Sequence, residues 1–321
     1  MNFLKYIETE LSIFDTRFKS NLSTKANLLH KITSYLSQKS GKKIRPICTI
    51  LAAGLCGEIH EKTYRGAVLI ELLHTATLIH DDVVDEAYLR RNQISINAMW
   101  KNKVAVLTGD YFLAKGLKLA VSSKDFDLLY LMSDVVQKIV EGELIQIEKT
   151  KKLNLIVDDY FKIIELKTGA LFQSAFEAGA LSVGANDHQF KIMSQLGIKI
   201  GLMFQIKDDI LDYPINSKKT GKIKGNDIKE GKINLPLLKS ITKMNFNQKQ
   251  NVYRILRKKS NNSDEIKYIQ DLVFQYDGIQ HAESLLKSYY DEIMLLLVSF
   301  KKNTYKDALL SLLNYLIVRS K

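Results

Sequence analysis

The residues most able to do chemistry are aspartates, and they recur in one pattern. Asp81-Asp82-Val83-Val84-Asp85 and Asp208-Asp209-Ile210-Leu211-Asp212 both read DDxxD. With 20 Asp in 321 residues, chance supplies only about 0.08 such matches. On a helix the first and fifth residues share a face and the second lies about 100° around it. Each motif therefore projects carboxylates from the end of an apolar helix, and crowding anions there is costly unless cations neutralise them. Carboxylate-only clusters suit hard cations, above all Mg²⁺, which keeps several waters and shares its shell with phosphate oxygens. Cys48 and Cys56 have no zinc-like spacing with the six His. A solvated acidic helix end explains one such motif; two copies ending two apolar helices point to metal, and to a diphosphate made into a good leaving group.

Basic residues gather near the first copy. Arg90 and Arg91 follow Asp85 within two turns, and their planar forks suit phosphate oxygens. Upstream, Gly41-Lys42-Lys43-Ile44-Arg45-Pro46 is a Gly-led basic turn opening a helix, either an anion site or an ordinary surface turn. His74 lies seven residues before Asp81 on a similar face, where a lone His is usually a core residue and only its company raises it. Residues 216–232 form a lysine-rich, Gly-containing stretch with few apolar groups. It reads as a solvated loop and equally as a basic flap over a polyanion.

The elements that must hold these residues are helical. A period of 3.6 dominates, with helices expected over residues 44–56, 64–86, 95–120, 126–148, 158–180 and 189–212, and shorter ones from 235 to 319. Gly41, Gly57 and Gly184 fall between blocks as helix stops. Only three Pro interrupt the chain, and strand signals are nearly absent. Residues 68–79 and 192–206 are apolar on more than one face, as central helices are. The expected architecture is all-α, one large helical bundle forming a single domain over 1–321 around an apolar cavity.

Composition narrows the class further. The 46% hydrophobic content excludes disorder. No stretch approaches the length of a membrane-spanning helix, and two Cys suit a reducing compartment, so a soluble, cytoplasmic protein is expected. The net charge of +12 comes from scattered lysines, which read as a solvated surface and not a nucleic-acid face.

The run IELLHTATLIHDDVVDEAYLRR, the upstream GKKIRP and the downstream GLMFQIKDDILDY…TGK together resemble the trans-isoprenyl diphosphate synthases, most closely the long-chain octaprenyl or solanesyl type. The resemblance runs from about Lys42 to the C-terminal helix. It implies a polyprenyl synthetase domain with the isoprenoid synthase fold. It further implies Mg²⁺-dependent 1′-4 condensation of isopentenyl diphosphate onto an allylic diphosphate, with roughly three Mg²⁺ per site. By the same resemblance, Asp81, Asp82, Asp85, Asp208 and Asp212 hold Mg²⁺, with Asp209 nearby. Arg90 contacts the allylic diphosphate, and Lys42, Arg45, His74 and Arg91 contact isopentenyl diphosphate. Lys167 and Thr168 of ELKTGALF, with Gln205, face the allylic substrate and its cation, and Lys222 and Lys232 approach the phosphates. Two positions depart from the family pattern: Asn92 replaces the Gly after the arginine pair, and Gly225-Asn226-Asp227 replaces GDD. The second departure puts an outer metal contact in doubt.

Product length in this family is limited by bulk at the fifth and fourth positions before the first motif. Here these are Ala76 and Thr77, so an open tunnel and a product of about C30 to C45 are expected, one helical turn spanning roughly 6 Å per isoprene unit. The expected use is a quinone side chain. Rival readings are a short-chain farnesyl or geranylgeranyl synthase, a terpene cyclase, and a non-catalytic regulatory subunit. The cyclase would not need GKKIR and His74, and the regulatory subunit would have lost aspartates or arginines. Homodimerisation and a peripheral contact with anionic membrane for product release complete the expectations.

Overall fold

The computed structural model describes residues 2–38, 41–90, 93–214 and 225–319. After a short 3₁₀ helix (Asn2–Ile7), the chain forms α1 (Glu8–Leu22), α2 (Asn27–Gln38), α3 (Ile44–Cys56) and α4 (Glu61–Val84). A two-residue antiparallel pair follows, β1 (Leu89–Arg90) with β2 (Gln93–Ile94), in the register Leu89 to Ile94 and Arg90 to Gln93. Next come α5 (Ile96–Ser122), α6 (Phe126–Lys152), α7 (Val157–Ile164), a π turn (Glu165–Gly169), α8 (Ala170–Ser182) and α9 (Asp187–Leu211). The remainder is α10 (Asn226–Glu230), α11 (Leu235–Lys243), α12 (Phe246–Lys258), α13 (Ser263–Gln275), α14 (Gly278–Leu297) and α15 (Thr304–Val318). The all-α expectation holds, and among the described residues no helix is long and apolar enough to cross a membrane.

The chain divides into two compact units, the first of Met1–Gln137, Leu171–Gly197 and Phe300–Ser311, the second of Lys138–Ala170, Ile198–Ser299 and Leu312–Lys321. In the first, α4 packs on α1, α3 and α5. Residues 67–70, 72 and 73 of α4 and residues 46–55 of α3 are all buried, which explains why these helices read as apolar on several faces. Gly179 lets α8 approach α3, since a Cβ there would lie 2.3 Å from the Thr49 carbonyl oxygen. The second unit is built on α11, which packs against α7, α13 and α14.

Three local departures from simple periodicity bear on function. The helix expected over 158–180 is interrupted by the π turn at Glu165–Gly169. The helix expected from Ser95 begins at Ile96, with Ser95 accepting the Ala98 N–H as its cap, and breaks at Lys101 (φ 71°). Lys43 precedes α3 with φ 50°, so the basic turn enters its helix through a left-handed residue.

Candidate active site

The first DDxxD copy ends α4, and helical geometry sorts its members. Asp82 is 4% exposed, whereas Asp85 is exposed and Asp81 half-buried. Asp82 Oδ1 accepts from Arg90 Nε at 2.6 Å. Burial pushes the Asp82 carboxyl above the ordinary range; Arg90 opposes the rise and the Asp85 charge adds to it. The hairpin carries Arg90 back over the motif. It is pinned by Tyr35, whose hydroxyl donates to the Ile94 carbonyl at 2.7 Å. Asn97 ties the end of α4 to the strand entry by donating to the Asp82 and Ala87 carbonyls at 3.0 and 3.1 Å. Arg91 and Asn92, between the strands, lie outside the described residues.

Two residues expected on the second diphosphate meet in the same unit. Arg45 Nη1 lies 2.9 Å from His74 Nε2. Because guanidinium only donates, Nε2 accepts and the imidazole proton sits on Nδ1. The Arg45 guanidinium also lies 4.9 Å from the centre of the Phe172 ring, a cation–π contact that fixes its plane. Lys42 is exposed at the start of the turn, while Lys43 pairs with Asp15 at 2.6 Å. Along α4, Ala76 is fully buried, and Thr77 is half-buried with its hydroxyl on the His74 carbonyl at 3.0 Å.

The second copy ends α9 and is wired differently. Asp209 is 4% exposed. Its Oδ2 accepts from the Tyr160 hydroxyl at 2.6 Å and from the Leu235 N–H at 3.0 Å, and its Oδ1 accepts from Gln205 Nε2 at 3.0 Å. Burial raises its carboxyl to about 6 despite these donors. Asp212 accepts the backbone N–H groups of Gly225, Asn226 and Asp227 at 3.2, 2.9 and 3.1 Å, tying the start of α10 to the motif. Asp208 pairs with Arg319 at 2.7 Å, whose guanidinium lies 4.1 Å over the Phe204 ring. Asp227 is driven up to about 8 by desolvation and by the Asp212 and Asp209 charges. It accepts from Asn234 Nδ2 at 2.9 Å, while Asn234 Oδ1 accepts from the Tyr213 hydroxyl at 2.7 Å.

A cavity of about 200 Å³ in this unit is lined by Lys167, Thr168, Gln205, Asp209 and Lys232 together with Tyr160, Asp227 and Asn234, and by Ile163 and Ile164. Five residues singled out from the sequence thus share one cavity. The π turn presents Lys167 and Thr168, as such turns often do at functional sites. Lys167 is held by Glu143 and by Gln146 Oε1 at 2.8 Å. Gly142 permits that approach, since a Cβ there would lie 2.8 Å from the Leu166 Cβ. Lys232 pairs with Glu230 at 2.8 Å. Lys222 lies outside the described residues.

Tyr160, Asn234, Asp227, Glu143 and Arg319 were not among the expected site residues. Tyr160 and Arg319 give no signal in sequence, because nothing local marks a hydroxyl or guanidinium that will meet an aspartate 49 or 111 positions away. Asn234 does carry one, as a capping residue before Leu235-Pro236.

Each helix end, taken by itself, offers donors that fit a hard divalent cation: carboxylates only, the first and third of the motif less buried than the second. Among the described residues no three His, Cys, Asp or Glu side chains form a ready-made metal cluster.

Known proteins match along most of the chain. The all-trans-nonaprenyl-diphosphate synthase (geranyl-diphosphate specific) of Rhodobacter capsulatus is 32% identical over 95% of this chain and 94% of its own length. The geranylgeranyl diphosphate synthase of Sulfolobus acidocaldarius is 31% identical over 94% of each chain. The crystal structure of a polyprenyl synthase from Caulobacter crescentus, complexed with calcium and isoprenyl diphosphate, superposes with a TM-score of 0.92 at 29% identity, covering 99% of this chain and 97% of that one. The polyprenyl synthetase family model matches residues 26–273. With that match and relatives of this similarity, the chain belongs to the polyprenyl synthetase family.

Proposed function

We propose that the protein is an all-trans polyprenyl diphosphate synthase. It extends an allylic diphosphate with isopentenyl diphosphate to a product of about C30 to C45, destined for a quinone side chain. The observation that carries this reading is the convergence of Lys167, Thr168, Gln205 and Lys232 on one cavity beside Asp209. The long-chain relatives support the product class.

Asp81, Asp82, Asp85, Asp208, Asp209 and Asp212 are the residues that would hold Mg²⁺, roughly three ions per site. The bound ions supply charge neutralisation of the departing diphosphate. Arg90, Lys167 and Lys232, with Lys222, bind and orient the allylic diphosphate; Lys42, Arg45 and His74, with Arg91, bind that of isopentenyl diphosphate. Ionisation leaves an allylic cation, which the isopentenyl double bond attacks; a proton then leaves to the released diphosphate. The protein needs no nucleophile of its own. It positions the two substrates, stabilises developing charge and excludes water. Oxygen atoms of Thr168 and Gln205 stabilise the cation without capturing it.

The buried Ala76 and the half-buried Thr77 would leave room for a growing chain in an apolar cavity. The chain acts as one domain over 1–321, as a homodimer in the cytoplasm. The exposed apolar arc of α5, namely Val106, Leu107, Leu117 and Val121, supports a second copy as its cover. The +12 charge supports peripheral contact with anionic membrane during product release.

The test is incubation with isopentenyl diphosphate, farnesyl diphosphate and Mg²⁺, followed by mass analysis of the lipids. Absence of extension, or turnover that persists in EDTA, overturns the reading. A geranylgeranyl synthase is the second reading, favoured by the Sulfolobus relative; products ending at C20 would select it. Replacing Ala76→Phe should shorten a long product by one or more units, and an unchanged product profile would end the depth argument.

A further inference from the structure

Gln205 and Thr168 belong to a hydrogen-bond chain whose direction is fixed from one end. Asp209 as a carboxylate only accepts. Its Oδ2 takes both the Tyr160 hydroxyl (2.6 Å) and the Leu235 N–H (3.0 Å), and its Oδ1 is left facing Gln205 at 3.0 Å. An acceptor at that place selects the Nε2 end of the Gln205 amide, so the amide cannot be turned over without facing oxygen to oxygen. Gln205 Oε1 then accepts from Thr168 Oγ1 at 2.9 Å. Every proton in the chain is directed toward Asp209. The Thr168 hydroxyl has therefore spent its one proton and has only lone pairs left to offer the cavity that Thr168, Gln205, Asp209 and Tyr160 line together. Such chains are mutually polarising, so fixing the far end strengthens the near one.

From this geometry we infer that Tyr160 is a positioning residue that holds the Asp209 carboxylate with Oδ1 toward Gln205, and so keeps the Gln205–Thr168 pair presenting oxygen and no proton to the allylic cation. The inference rests on the prenyl-transfer reading above. Tyr160 is itself held firmly enough to do this, being buried on α7 with its ring edge-on to Phe161 at 5.4 Å.

The test uses Tyr160→Phe, which keeps the ring and removes the donor, in wild-type and Gln205→Leu backgrounds. Tyr160→Phe should lower kcat about tenfold, with both substrate KM values and the Mg²⁺ half-saturation unchanged within about twofold. In the Gln205→Leu background, where the chain is already cut, it should cost nothing further. An unchanged kcat for Tyr160→Phe, or losses that multiply in the double variant, overturns the inference. If wild type extends isopentenyl diphosphate but Tyr160→Phe matches it, the inference alone fails; if wild type extends nothing, the underlying reading fails first.

Discussion

The two DDxxD copies are the same five-residue pattern at the same place in a helix, yet the protein treats them differently. In both, the middle aspartate is 4% exposed, because a residue 100° from its neighbour turns toward the protein when that neighbour faces out. The partners then diverge. Asp82 is met by a cation, Arg90, on a short hairpin. Asp209 is met by neutral donors on three separate elements, α7, α9 and the start of α11. Asp85 is exposed at the end of α4, whereas Asp212 holds the start of α10 through three backbone N–H groups. A motif fixes carboxylate spacing; the surroundings decide whether a carboxylate serves a ligand alone or also holds the fold.

The largest test of this comparison is catalytic. Asp81→Asn and Asp208→Asn should each lower kcat by about 10²–10³-fold, as loss of one charge-stabilising group does, measured by incorporation of labelled isopentenyl diphosphate. If either copy proves dispensable, the symmetry of function breaks down.

Stability should separate the copies next. Asp209→Ala strands the Tyr160 hydroxyl, the Leu235 N–H and the Gln205 amide, and should cost about 2–4 kcal/mol in a denaturant titration, several times the cost of Asp82→Ala. The latter leaves Arg90, whose side chain is 35% exposed, able to turn to water. Equal losses would show that neutral and cationic partners are interchangeable here.

pH sharpens the contrast further. Asp209 and Asp227 are raised to about 6 and about 8 in the folded, metal-free protein. A carboxyl raised on folding is protonated more readily when folded, so its contribution is fully present below about pH 4 and is lost as pH rises toward the folded value. Unfolding midpoints of metal-free protein should therefore fall between about pH 4 and pH 8. Asp227→Asn should flatten most of that fall, and a slope unaltered by this change would place the cause elsewhere.

The smallest effect is expected at Arg90→Lys. Its partly exposed pair with Asp82 should change stability by less than about 1 kcal/mol. The KM for the allylic diphosphate should rise, because an ammonium cannot reproduce the planar fork.

Much of this was legible in the sequence because helical periodicity is local. The helix over 44–56 coincides with α3, and those expected over 64–86, 126–148 and 189–212 correspond to α4, α6 and α9 within a few residues. The placement of DDxxD at two helix ends followed from the same pattern. The π turn was not legible: ELKTG has the composition of ordinary helix, and the residues it meets, Gly142 against Leu166 and Glu143 with Lys167, lie on α6, more than 20 positions earlier in the chain. Nor was the hairpin, too short to leave an alternating pattern.

By itself, then, the sequence determined the helical class, the two acidic helix ends and the family whose motifs they match, since each depends on spacing within a turn or two of chain. Only tertiary structure decided that Tyr160 donates to Asp209, that Arg319 pairs with Asp208, and that Asp212 ties down α10. Those contacts join residues far apart in sequence, and the energy of a buried hydrogen bond or ion pair depends on which groups folding brings together and shields from water.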